Sequence, residues 1–153
     1  MADISLRKID STNWRDAIRL TVADDQLGFV ATNAKSLAQS AYDDSGTWYP
    51  RGIYDGDTMV GFVMWGKVTF DDNTVWAIMR LMVDKNQQRK GYGRAAMVAV
   101  MEHIKANRDG MDDLYISFVP ENEAARVLYT DLGFTDAGFT PDGSEVLMRY
   151  TLT

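Results

Sequence analysis

Apolar positions change their period along the chain, and each change marks an element. Ile4, Leu6 and Ile9 suggest a first strand. Trp14, Ala17, Ile18 and Leu20 recur at helical spacing, with Ser11 or Thr12 placed to cap that helix. A second short helix fits residues 34–42, with Asn33 as its cap, whereas residues 24–30 have no clear period and mix aromatic with acidic side chains. Residues 48–54 and 58–68 predict strands joined at Asp55-Gly56-Asp57, because Asp-Gly is a strong hairpin signal. Asp71-Asp72-Asn73 makes the next turn.

The following run organises the chain. Val75, Trp76, Ile78, Leu81, Met82 and Val83 are apolar on both faces, as a central strand requires. Gln88-Arg89-Lys90-Gly91-Tyr92-Gly93-Arg94 follows, and a helix rich in Ala, Met and Val runs on from Ala95. A helix opening at such a loop aims unpaired backbone N–H groups and the positive end of its dipole at one point. Gly91 and Gly93 let a ligand approach the main chain closely, and Arg89, Lys90 and Arg94 add charge. This pattern predicts a site for a phosphorylated ligand. Two other readings fit the loop alone. One is an ordinary turn with solvated basic residues. The other is a dinucleotide fingerprint, since Gly91-x-Gly93-x-x-Ala96 has acidic Asp112 and Asp113 downstream. The Walker pattern is absent.

Beyond that helix, residues 114–119 predict a strand parallel to residues 75–83, because a helix joins the two. Pro120-Glu121-Asn122 ends it, and a helix over 123–132 stops at Gly133, with Phe134 able to pack back on Tyr129. Residues 139–143 are a turn region and 145–152 a closing strand. The order β-α-α-β-β-β-α-β-α-β predicts an α/β (α+β) fold. It disfavours a dinucleotide site, which needs repeated βαβ units. Asn122, Arg126 and Tyr129 fall at i, i+4 and i+7 and share one helix face.

Composition narrows the partners. At 153 residues, 46% hydrophobic and 25% charged, the chain reads as one soluble domain over 1–153, without repeat or linker. It has no cysteine, which excludes disulfides, thiolate metal sites and a Cys nucleophile. No signal peptide or membrane-spanning run is visible, so a cytoplasmic location and no membrane partner are expected. The net charge of −6 argues against nucleic acid, and either favours a cationic partner or serves solubility alone.

The chain resembles the GNAT superfamily of acetyl-CoA-dependent N-acetyltransferases over nearly its whole length. The Q/R-x-x-G-x-G/A signature stands as Gln88-Arg89-Lys90-Gly91-Tyr92-Gly93, and the N-x-x-A-x-x-x-Y element closing in G-F as Asn122, Ala125, Tyr129, Gly133 and Phe134. The resemblance implies a mixed, mostly antiparallel sheet with one parallel central pair splayed into a V, and helices on both faces. Acetyl-CoA would be the co-substrate, without a metal. Its pantetheine arm would lie in the V against Leu81, Met82 and Val83, and its pyrophosphate on amides from Arg89 through Arg94. Asn122 and Ala125 belong to the helix face that meets the coenzyme, Arg126 is within reach of a phosphate, and Tyr129 offers its phenol to the thioester sulfur. Family members often dimerise, so a homodimer is one expectation.

The amine half of the reaction needs a proton acceptor. His103 is the only histidine and reads as a solvated-face residue, and Ile78, Met79, Arg80 and Leu81 supply no acid on the central strand. Ordered water is the leading relay, with Asp24, Asp25 or Glu145 as alternatives. Residues 24–38 with Trp48-Tyr49-Pro50 look like the N-terminal region of bacterial polyamine acetyltransferases. That likeness implies a small cationic amine held by Asp24, Asp25 and Gln26, with Asp43 and Asp44 adding charge, and by walls from Phe29, Trp48, Tyr49 and Trp65. Another small or peptide amine, or a non-catalytic acyl-CoA sensor, are the rival readings.

Overall fold

A computed structural model describes residues 1–152. Seven strands form one sheet in the order β1-β2-β3-β4-β5-β7-β6. In chain order the elements are β1 (Ser5–Lys8), α1 (Trp14–Arg19), a single 3₁₀ turn (Asp24–Gln26), α2 (Asn33–Tyr42), β2 (Gly46–Asp55), β3 (Thr58–Phe70), β4 (Asn73–Val83), α3 (Tyr92–Ala106), β5 (Asp113–Phe118), α4 (Glu123–Asp131), β6 (Thr135–Phe139) and β7 (Val146–Thr151). Every neighbouring pair is antiparallel except β4 with β5. The expected mixed sheet, with its one parallel central pair, is therefore the observed one.

Alternation along the strands feeds two cores. Val60, Val63 and Trp65 of β3 pack with Met97, Val100 and Ile104 of α3 on one face. Phe62 and Met64 of the same strand pack with Ala17 of α1 and Met82 on the other. From Phe62 to Trp65 this is the period of two expected when both faces of a sheet are covered, while Val60 is the extra residue of a bulge, since Tyr54 pairs with Met59 and Ile53 with Gly61.

The V has a local cause. Met64 pairs with Arg80 but Trp65 pairs with Ile78, so Met79 is an extra residue, a bulge on β4. Bulges bend a strand and tighten its twist. The parallel pairing with β5 holds only at Trp76, Ala77 and Ile78. From Met79 onward β4 follows β3 and leaves β5, and the edge facing the gap has no strand partner.

Three local expectations are corrected. The cap of α1 is Asn13, not Ser11 or Thr12, because the Asp10 carboxylate takes the Thr12 N–H (2.8 Å) and hydroxyl (2.6 Å). With six residues, α1 buries only Ala17 and leaves Trp14 and Ile18 about two-fifths exposed. The cap of α2 is Thr32, whose hydroxyl accepts the Lys35 N–H at 3.1 Å; Asn33 is instead the first helical residue, buried and donating to the Ala17 carbonyl at 2.8 Å. The seventh strand, β6, lies between the helix stop expected at Gly133 and the turn region expected over 139–143, where no element is predicted. Its five residues are all exposed and it carries a bulge between Asp136 and Phe139, so it has no alternation to detect.

Candidate active site

Where β4 and β5 part, a groove of about 600 Å³ opens, lined by Ile78–Val83 on one side and Ile116–Val119 on the other. At the Val83 end stands the start of α3. Gly91 caps the helix at φ 83°, ψ 10°, a left-handed conformation that costs other residues about 1–2 kcal/mol. A Cβ there would meet nothing nearer than 3.9 Å, so backbone conformation, not crowding, sets the glycine. The N–H groups of Gly91, Tyr92, Gly93 and Arg94 have no acceptor among the described residues. As the first donors of a 15-residue helix they carry the positive end of its dipole. Gln88 ties this loop down: its side-chain amide donates to the Val83 carbonyl (3.0 Å) and to Gln26 Oε1 (2.8 Å). Tyr92 donates to the Asp55 carboxylate at the hairpin tip, a bond that raises its phenol above the ordinary value.

The basic residues of the loop divide. Arg89, itself at φ 66°, lines the groove with Gln88, Gly91, Tyr92 and Gly93. Lys90 lies off the lining and donates to Gln87 at 3.0 Å, and Arg94 pairs with Asp131 at 3.0 Å.

Helix α4 supplies the opposite wall. Asn122 is its cap, with Oδ1 accepting the Ala125 N–H at 3.2 Å, and Asn122, Ala125 and Tyr129 all line the groove. Arg126 does not: its guanidinium lies 5.3 Å over the Phe118 ring and near Glu123. Tyr129 is 7% exposed, its ring 5.8 Å from Phe118 and 6.0 Å from Phe134. Its hydroxyl has no hydrogen-bond partner among the described residues, and burial pushes the phenol well above its ordinary value. The group is a neutral donor in the groove wall.

The expected substrate residues separate. Gln26 and Phe29 line the groove, while Asp24 and Asp25 are exposed beside it. Trp48 donates to the Asp43 carbonyl at 2.8 Å. Tyr49 stacks on Trp65 at 5.8 Å and faces a second hollow with Lys67, Trp76 and His103. Of the alternative proton acceptors only Glu145 lines the groove, and Ser117, Arg80 and Lys35, not anticipated, join it. Ser117 of β5 donates to Glu145 Oε1 at 3.0 Å, and both line the groove. Arg80, from beside the bulge, and Lys35, from α2, complete it. The signal for Arg80 was present in the sequence, a single charge inside an apolar strand; Ser117 and Lys35 gave none.

Among the described residues, no group of three or more His, Cys, Asp or Glu could hold a metal, and no helix is long and apolar enough to cross a membrane. The arrangement can seat a diphosphate on free amides, run an extended arm along an unpaired strand edge, and place a phenol and a carboxylate near the apex.

Known proteins share the sequence pattern and the fold. The chain is 26% identical over 150 residues to a probable spermine N(1)-acetyltransferase of Bacillus subtilis subsp. natto, covering 95% of this chain and 96% of that protein. It is 31% identical over 134 residues to a mycothiol acetyltransferase of Kocuria rhizophila, covering 74% of this chain but 43% of that longer protein. Its fold matches the crystal structure of spermidine N-acetyltransferase from Vibrio cholerae in complex with CoA and spermine, with a TM-score of 0.75 at 13% identity over 97% of this chain and 95% of that one. The model of the acetyltransferase (GNAT) family matches residues 10–134, from the turn before α1 to the residue after the α4 stop, and the chain therefore belongs to that family of acetyltransferases.

Proposed function

We propose that this protein moves the acetyl group of acetyl-CoA directly onto the primary amine of a small molecule, at the apex of the V between β4 and β5. One observation carries the reading: a single groove joins free helix-start amides, an unpaired strand edge and a buried phenol. The diphosphate would rest on the amides of residues 89–94, and the pantetheine arm along Leu81, Met82 and Val83 with Asn122 opposite.

An alkylamine has a pKa of about 10.4, so less than about a thousandth is free base at pH 7. Glu145, held by Ser117, is the carboxylate in the groove lining and takes the ammonium proton, directly or through water, before passing it to solvent. The amine nitrogen then bonds to the thioester carbonyl carbon and the carbon–sulfur bond breaks. Tyr129 donates its hydrogen bond to the departing sulfur, whose thiol pKa is about 8.5 by analogy with Cys. The products are the N-acetylamine, coenzyme A as its thiol, and one proton.

A polyamine acceptor is the narrower form of this reading, and the likeness to the Bacillus protein supports it. Free-thiol release from acetyl-CoA, measured across polyamines, monoamines, amino acids and a peptide amine, tests the broader one. At least one small amine should release thiol and appear acetylated by mass. Acetyl-CoA binding with no release for any of them would make the protein a coenzyme sensor.

A further inference from the structure

The charged lining of the groove does not suit a polycation. Lys35, Arg80 and Arg89 face it against one carboxylate, Glu145. Arg89 stands at the loop end, where the diphosphate is expected. Arg80 lies three residues before Val83 on β4, so about 10 Å nearer the apex at the usual rise of a strand. The acceptor end therefore holds Arg80 with Glu145, and Lys35 of α2 adds a third cation to the lining. Asp24 and Asp25 stay outside the lining, and Asp43 is engaged with Ser45.

Arg80 is also incompletely matched. Nη1 donates to the Met79 carbonyl at 2.7 Å and Nη2 to Gln39 Oε1 at 3.2 Å, both neutral acceptors. Nε is buried with no partner among the described residues. Glu145 attracts the guanidinium, but the carboxylate oxygen with a hydrogen bond is taken by Ser117. A half-buried guanidinium with an unused buried donor is a costly arrangement unless an anion completes it, and the planar fork matches a carboxylate.

Resting on the acetyltransferase reading above, we propose that the acceptor is an amine that also carries a carboxylate, its ammonium at Glu145 and its carboxylate at Arg80. The two ends of one small zwitterion would then meet the two signs of charge at the apex. A polyamine would instead bring its second ammonium against Arg80.

The test uses three acceptors of matched length on the intact protein: γ-aminobutyrate, butylamine and putrescine, with spermidine alongside. Expected kcat/KM falls in the order carboxylate, neutral, diamine, with the first two about 10- to 100-fold apart, the range for one charge-assisted hydrogen bond. Arg80→Gln should collapse that ratio toward one, and Arg80→Lys should keep part of it, retaining charge without the fork. The wild-type order needs no variant, so a variant that fails to fold leaves the test intact. Putrescine or spermidine ahead of γ-aminobutyrate would overturn the inference and leave the acetyltransferase reading standing. No thiol release from any acceptor would overturn both.

Discussion

Tyr129 sits between Phe118 and Phe134 with its hydroxyl unpartnered, and that environment decides how it can act. Burial disfavours the phenolate, so the group stays protonated through any practical assay range. In the proposed reaction it is then a poor source of a fully transferred proton and would act as a hydrogen-bond donor to sulfur as charge develops there. Tyr129→Phe keeps the ring and removes only that donor. We expect kcat to fall about 100-fold, the lower end of the range for a positioned proton donor, with acetyl-CoA affinity by calorimetry unchanged. An unaltered kcat would leave Tyr129 as packing alone. Neither outcome should move the alkaline limb of the pH–rate profile, because the phenol does not titrate there.

Helix α4 delivers Tyr129, and its end is defined by hydrogen bonds legible in advance. Gly133 takes φ 101°, its N–H donates to the Thr130 carbonyl at 3.0 Å, and the Phe134 N–H donates to the Tyr129 carbonyl at 3.0 Å. These two bonds are the Schellman pattern, closed by Phe134 packing on Tyr129. Gly133→Ala meets both a left-handed backbone and the Tyr150 ring, 3.1 Å from the added Cβ. A loss of about 1–2 kcal/mol is expected, read as a lower urea midpoint at unchanged m. The Asp-Gly hairpin, the doubly apolar β4 and the Gly91 helix start were equally readable, each resting on a residue type with one strong local preference. Other features left no such mark. The Met79 bulge that opens the V depends on how β3 and β4 pair, and Met79 has nothing in its chemistry to announce it. Exposed β6 has no buried face, and Asn33 looks like a cap while Thr32 performs that role. The same limit applied at the site: local signatures indicated the amide cradle and the phenol, but Arg80, Ser117 and Glu145 converge only through the sheet order β4-β5-β7.

At the scale of the molecule, the net charge of −6 and the cations in the groove belong to different places. Many carboxylates serve turns. Asp10, Asp43 and Asp142 each accept the backbone N–H and the hydroxyl of the Ser or Thr two residues on: Thr12, Ser45 and Ser144. This Asp-x-Ser/Thr turn, used three times, favours the ionised acid. Asp10 and Asp43 are lowered chiefly by the hydroxyl bond and Asp142 chiefly by the backbone one, while Asp109 is lowered by Lys67. Folded values below the unfolded one mean that the unfolded chain binds more protons between the two. Their stabilising effect is thus complete above the ordinary carboxylate range and is lost as pH falls through the folded values. Tm should be level with respect to these groups above about pH 5 and decline below about pH 4. In the triple variant Asp10→Asn, Asp43→Asn, Asp142→Asn the acceptor oxygens persist but no longer titrate. Its Tm should fall less steeply than wild type between about pH 5 and pH 3, measured by calorimetry at constant ionic strength. Identical acid slopes would place the pH dependence of the fold on other carboxylates than those in its turns.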